Sequence, residues 1–103
     1  MEKIINVADV IDGKLAVTSD DAIVVFNILK HNIEENVISV LDFTGISTLT
    51  TSFLNESIGT LYNVANAQTI ASLVKVNPKS LRPIQYRNIL SVIENAKQKQ
   101  EEN

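Results

Sequence analysis

The chain contains no cysteine, so neither a disulfide nor a thiolate metal site can form. Its one histidine, His31, excludes a His-rich metal centre and leaves no second imidazole base. Three glycines and two prolines in 103 residues leave little room for long loops. A basic excess is also missing. The net charge is −3, whereas nucleic-acid binding calls for a basic footprint, so nucleic acid is not an expected partner. No stretch approaches the ~18 apolar residues of a membrane span, and MEKIINVADV lacks the apolar core of a signal peptide. The expectation is a cytoplasmic protein with no membrane partner. Neither G-x-x-x-x-G-K nor G-x-G-x-x-G occurs, which removes the P-loop and dinucleotide fingerprints.

What is present describes an ordinary globule, 45% apolar and 20% charged. The length suits a single domain over 1–103, burying roughly two-thirds of its unfolded surface. The tail KQKQEEN is expected to fray over 98–103.

Residues 3–10 are rich in β-branched side chains and predict a strand. Asp12-Gly13 suits a two-residue hairpin turn, with Leu15 to Val17 pairing back. Thr18 and Ser19 are N-cap candidates ahead of Asp20 and Asp21, which favour the positive end of a helix dipole. Ala22, Val25, Phe26, Leu29 and Ile33 recur at helical spacing, so the first helix should span about 20–35. Val37 to Phe43 is apolar on both strand faces except at Ser39 and Asp42, as in a central strand covered on two sides. A second helix over 52–65 would bury Leu54, Ile58, Leu61, Tyr62 and Ala65. Gly59 within it costs about 1 kcal/mol against alanine, which close helix-on-sheet packing would explain. Ile70 to Val76 predicts another strand, ended by Asn77-Pro78. Pro83 suits the first position of a last helix whose inner face is Tyr86, Ile89, Leu90, Ile93 and Ala96 or Lys97. The order is β-β-α-β-α-β-α: an α/β fold with a four-stranded mixed sheet and helices largely on one face.

The most informative run is VISVLDFTGISTLTTSFLNESIGTLY, Val37 to Tyr62. Between its strand and its helix, Thr44 to Ser52 carries six hydroxyls in nine residues. In open α/β folds ligands and partners dock where strands end.

LDFTGI (Leu41 to Ile46) followed by TSFLNESIG (Thr51 to Gly59) resembles the STAS-like domains of unknown function. These are relatives of the sulfate-transporter and anti-sigma-factor-antagonist domains. The matching positions are Asp42, Phe43, Gly45, Ile46, Thr51, Phe53, Asn55, Gly59 and Leu61, and both VTS (Val17 to Ser19) and VIENAK (Val92 to Lys97) look like family features. The resemblance implies a bacterial, cytoplasmic, non-enzymatic regulatory module without a cofactor. Its partner would be a protein, a histidine-kinase-like ATPase or anti-sigma-type regulator, bound through the 44–57 turn and helix. In the antagonists a Ser or Thr in a turn resembling D-S-S-G is phosphorylated, which releases the partner. Aligned through LDFTG, Thr51 takes that position. Thr50 stands where that turn has Asp, and Phe53 where it has Gly.

Each candidate has a plain reading beside its functional one. Thr50 or Thr51 caps the second helix, and Thr51 is a phosphosite or simply an N-cap worth about 1 kcal/mol. Asp42 could share acid–base or metal work with Glu56, Asn55 or Ser47, but an Asx turn onto Thr44 to Ser47 is the stronger reading. His31 suits a helix C-terminus. Lys75, Lys79, Arg82 and Arg87 form a solvated basic stretch or a minor acidic-partner patch. Asn55 braces the turn or faces a partner. The binding turn is therefore Asp42, Thr44, Ile46, Thr50, Thr51, Ser52, Phe53 and Asn55, with no catalytic or metal residue. Two alternatives stand beside the protein partner: a small anionic ligand or nucleotide at the second helix N-terminus, or a homodimerising structural domain. An interaction module should expose Ile46, Leu49 or Phe53 around the turn. A ligand domain should hold a pocket converging on the Thr51 and Ser52 N–H groups.

Overall fold

Residues 1–102 are described by a computed structural model, whose sheets are parallel rather than mixed. The elements are β1 (Glu2–Asn6), α1 (Val7–Ile11), β2 (Leu15–Ala16), α2 (Ser19–Glu34), β3 (Ile38–Asp42), β4 (Thr48–Leu49), α3 (Thr51–Ser57), α4 (Ala67–Leu73), β5 (Val74–Val76) and α5 (Pro83–Glu102). Short 3-10 turns cover Gly59–Asn63 and Pro78–Ser80. One sheet has the order β1-β3-β5 and a second pairs β2 with β4, every pairing parallel. The expected four-stranded mixed sheet is thus replaced by a three-stranded and a two-stranded one.

The N-terminal hairpin fails because a helix forms inside the segment expected to be all strand. The Asn6 side chain accepts a hydrogen bond from Asp9 N–H at 3.0 Å and starts α1, overriding the β-branched run that follows. Asp12 does adopt positive φ, at 54°, but to end α1: its N–H and that of Gly13 return to the Asp9 and Ala8 carbonyls. Positive-φ tolerance was the right property for this dipeptide. It serves a helix C-terminus instead of a hairpin.

The first helix forms as expected, with Thr18 capping α2 through Asp21 N–H and Ala22, Val25 and Leu29 buried. Its buried Asn32 donates to Ser39 of β3 at 2.9 Å, so the one polar residue on the inward face of that strand is satisfied by the helix covering it. β3 alternates between half-exposed and buried positions, so it is fully covered on one face only. Ile5, Ser39 and Leu41 are buried on the helix side, while Ile4 on the other side is 71% exposed.

The second helix stops at Ser57 and continues as the Gly59–Asn63 turn. Ser57 and Thr60 hydroxyls donate back to the Phe53 and Glu56 carbonyls, a habit that bends helices, and Gly59 stands at the break. The buried stripe still holds: Leu54, Ile58, Leu61 and Tyr62 are in the core. Most of the strand expected over 70–76 is α4, started by the Asn66 cap on Thr69 N–H, leaving only Val74–Val76 extended. α5 starts at Pro83 as expected, with Ile89 buried and Ile93 and Ala96 packed against the core as expected, but Val92 joins them while Tyr86 and Leu90 lie outside. The segment expected to fray is helical through Glu102, with Asn103 outside the described residues. Gln100 accepts from Ala67 N–H and donates to the Tyr62 and Ala65 carbonyls, tying α5 to the start of α4. Among the described residues no helix is long and apolar enough to cross a membrane.

Gly59 faces α5 and not the sheet. A Cβ built there would meet Val92 Cγ1 and Asn55 Oδ1 at 3.6 Å, ordinary van der Waals contact, so close packing does not require glycine. Gly59→Ala should therefore leave the fold intact and be neutral or stabilising by up to about 1 kcal/mol in urea denaturation. A loss above that size would show that the segment needs glycine.

Candidate functional site

β1 and β3 run parallel, with Asn6 paired to Asp42, so both strands end together beneath the segment that follows Asp42. That segment is held along its length. The Ser47 and Thr48 N–H groups donate to the Lys14 carbonyl at 2.8 and 3.3 Å, and Thr50 N–H donates to Ala16 at 3.2 Å. The β2–β4 ribbon thus fixes the turn to the start of α2. Arg82 Nη2 reaches the Ser47 carbonyl at 2.8 Å, anchoring it from the α5 side. Gly45 has φ +90°, the left-handed region that favours glycine, and Ile46 N–H closes the turn on Phe43 at 3.0 Å.

Asp42 behaves as the Asx reading expects. Its Oδ1 accepts Thr44 N–H at 2.8 Å. The Thr44 hydroxyl, that N–H and the Asn77 side chain hold the carboxyl below its ordinary pKa, against a smaller opposing effect of burial. The companions considered for catalysis are engaged elsewhere: Glu56 Oε1 accepts from Ser19 Oγ at 3.0 Å, and Ser47 Oγ donates to the Lys14 carbonyl. No acid pair forms around Asp42. Among the described residues no group of three His, Cys, Asp or Glu side chains is placed to hold a metal.

The hydroxyls divide into structural and outward ones. Thr50, not Thr51, caps α3, its Oγ1 accepting Phe53 N–H at 3.1 Å. Thr51 occupies the first helical position, exposed, and Ser52 follows it, also exposed. Thr44, Ser47 and Thr48 are exposed as well. Phe53 is 1% exposed and belongs to the core, while Ile46 and Leu49 are half-buried against it. The apolar rim expected of an interaction surface is therefore largely absent, because Phe53 closes the core beneath α3. Asn55 is exposed and faces the groove beside Gly59 and Thr60, away from the turn. It does not brace residues 44–50.

Two concavities both lie elsewhere. One, of about 340 Å³, is an apolar groove between α4, β5 and α5 lined by Ile58, Ile70, Val74 and Ile93 with Lys97 at its side. The other is a broad polar trough between α3 and the C-terminal half of α5. Neither converges on the Thr51 and Ser52 N–H groups. His31 lies exposed in the last turn of α2, 4.0 Å from Glu35, as its helix-terminal reading expects. Lys75 caps the Ala71 carbonyl at 2.7 Å and Arg82 anchors the turn, so two of the four basic residues do structural work. Sequence pattern missed the Arg82–Ser47 and Ser19–Glu56 links, which join residues 35 and 37 apart.

The family model described as a STAS-like domain of unknown function (DUF4325) matches residues 21–80, from within α2 to the turn after β5. The chain belongs to this family. No curated protein and no solved structure matches it. The matched span holds the whole 44–57 segment of this STAS-like domain and the strand beneath it.

Two outcomes separate the hydroxyls and test the Asx turn. Thr50→Ala should cost about 1 kcal/mol in urea denaturation, whereas Thr51→Ala should stay within about 0.5 kcal/mol of the parent. Asp42 has a depressed folded-state pKa, so its contribution is present above the ordinary carboxylate value and is lost as pH falls through the lowered one. The stability gap between parent and Asp42→Ala, measured by thermal melts, should be constant near neutral pH and shrink below about pH 4. A gap that widens on acidification would contradict the turn.

Proposed function

We propose that this STAS-like domain is a non-enzymatic regulatory module that binds a protein partner through residues 44–57. The partner class, a histidine-kinase-like ATPase or anti-sigma-type regulator, comes from the likeness to anti-sigma-factor antagonists. One observation carries the reading. The turn is clamped from behind by Lys14, Ala16 and Arg82, while Thr51 stands exposed on the outside with no capping duty. A clamped surface loses little entropy on binding, which favours association.

Phosphorylation of Thr51 suits the same arrangement. A phosphate would add nearly two negative charges beside N–H groups that the start of α3 leaves unpaired, and the Thr50 cap would stay in place. The domain would remain folded while its outer surface changed sign. A partner with an acidic patch facing the turn would then be repelled. Thr50 in place of the antagonist Asp and Phe53 in place of Gly mean that the responsible kinase reads a different loop. The interface is polar, built on Thr44, Ser47, Thr48, Thr51 and Ser52, with Ile46 and Leu49 as half-buried apolar support. The anionic-ligand alternative receives no comparable support: α3 is a seven-residue helix, and the two concavities described above lie away from its start.

The test uses a purified histidine-kinase-like ATPase from the same source as this protein. The parent should co-elute with it, and Thr51→Glu should weaken the complex at least about tenfold, equivalent to ~1.4 kcal/mol, with unchanged circular dichroism. Millimolar ATP alone should not raise the melting temperature of this domain. Equal capture of Thr51→Glu removes the switch, and failure of the parent to bind removes the partner class.

A further inference from the structure

The outer edge of β1 matches itself. In a parallel ladder, alternate residues of a strand aim both backbone groups at one neighbour and the residues between them aim away. Ile38 N–H of β3 donates to the Met1 carbonyl at 3.0 Å, and β1 pairs with β3 from Glu2↔Ile38 to Asn6↔Asp42. Met1, Lys3 and Ile5 therefore face β3. Glu2 and Ile4 send both their N–H and C=O groups to the outer edge and Asn6 its N–H, since β1 ends the sheet order β1-β3-β5 among the described residues. Natural edges are blunted by charged side chains, a proline, a bulge or a covering segment, and β1 carries the first of these, Glu2 and Lys3, beside the apolar Ile4. β1 has no proline, keeps an unbroken register with β3, and leaves Glu2, Lys3 and Ile4 exposed.

The side chains add a second observation. Ile4 is 71% exposed on the sheet face opposite the helices, and Ile38 and Val40 are half-exposed on that face. An apolar strip thus begins at the free edge and continues inward.

We propose that a second copy of this chain pairs antiparallel with β1 about a two-fold axis through Ile4. That register sets Ile4 against the partner's Ile4 and Glu2 against the partner's Asn6, and Lys3 falls opposite the partner's Ile5. The outward-aimed residues of both strands meet in the same ladder, and no like charges face each other. A shift that centres the axis on Lys3 would instead oppose two ammonium groups and bring inward-aimed residues to the axis. The Asn6 carbonyl is committed to the first turn of α1, so the new ladder has a pair of bonds at Ile4 and one bond on either side, from Asn6 N–H to the partner's Glu2 carbonyl. The opposite edge, β5, has only three residues and cannot offer the same length.

Isologous pairing of this kind closes on itself and does not propagate. It extends the three-stranded sheet into one of twice the width and brings the apolar strips side by side. Because the strands run antiparallel across the axis, the two 44–57 segments lie at opposite ends of the joined sheet. The dimer leaves both open, so this inference is independent of the proposed function. A five-residue edge buries less than the ~1,200 Å² of a stable interface, so association is weak and concentration-dependent.

Sedimentation equilibrium of the chain with a free, untagged N-terminus should show mass rising from one chain toward two between about 10 μM and about 1 mM. Ile4→Lys places two charges on the axis and should weaken association at least about tenfold. Ile4→Pro removes the outward N–H while sparing the bonds to β3, and should do the same. A trap guards against variants that lose their fold. The chain has no cysteine, and hydrogen-bonded antiparallel pairs sit ~5.5 Å apart at Cα, within disulfide range. Under mild oxidation Ile4→Cys should crosslink at least about tenfold faster than Ile84→Cys, which places a thiol on exposed α5. A monomer throughout the concentration range, a dimer indifferent to Ile4→Lys, or equal crosslinking at the two positions overturns the proposal.

Discussion

Parallel pairing of β3 with β1 on one side and β5 on the other is the constraint on which the rest of the structure hangs. Parallel neighbours cannot be joined by a tight turn, so each connection must leave the sheet and return through helix. α2 occupies the first connection and α3 and α4 the second. Leu41 and Ile5 are buried on the face these helices cover, and Asn32 reaches down from α2 to satisfy Ser39 on that face. The same constraint brings β1 and β3 to an end at the same level. Whatever follows Asp42 emerges there. The site is thus a product of strand direction before any of its side chains is considered.

Side-chain caps then set the local boundaries, and this explains which parts of the fold were legible. Long periodic segments with a cap at their start were readable: Thr18 with the Ala22, Val25 and Leu29 stripe, and Pro83 at the head of α5. The short elements were not. Asn6 starts a five-residue helix inside a run whose β-branched composition favours strand, and Asn66 starts a seven-residue helix that runs on into the apolar 70–76 segment. Each of these helices opens on a side-chain cap worth about 1 kcal/mol, a signal that the composition of the run does not carry. Strand pairing was misread for a related reason. Asp12-Gly13 advertises positive φ, but a backbone preference does not say whether the chain doubles back or ends a helix.

The candidate site was legible in position and less so in roles. Strand, hydroxyl-rich turn and helix start all lie where the pattern put them, and Asp42 makes its Asx bond to Thr44. Which hydroxyl caps is decided by one residue of helix phase, and Thr50 holds it. Phe53 was legible as apolar, but not as inward, because a seven-residue helix gives too few turns to fix its buried face from periodicity alone. The long-range anchors from Lys14, Ala16 and Arg82 left no local signature.

The division of labour between Thr50 and Thr51 bears on how a charge at this turn could act. Modification of a capping hydroxyl would remove an acceptor from Phe53 N–H and loosen the residue that closes the core, so release of a partner would come through partial unfolding. Thr51 has no such bond and lies outside the core, so a phosphate there alters only the outward field. That field would oppose the rest of the turn weakly. The acidic group nearest Thr51 in sequence is Glu56, whose Oε1 accepts from Ser19 Oγ, and on the other side the Asp42 carboxylate is engaged by Thr44 and Asn77. Arg82 adds a positive group at the Ser47 end of the turn. On the proposed reading, a negative group at Thr51 would be tolerated by the domain and felt by a partner docked against it, the condition for a switch that changes affinity and leaves the fold unchanged.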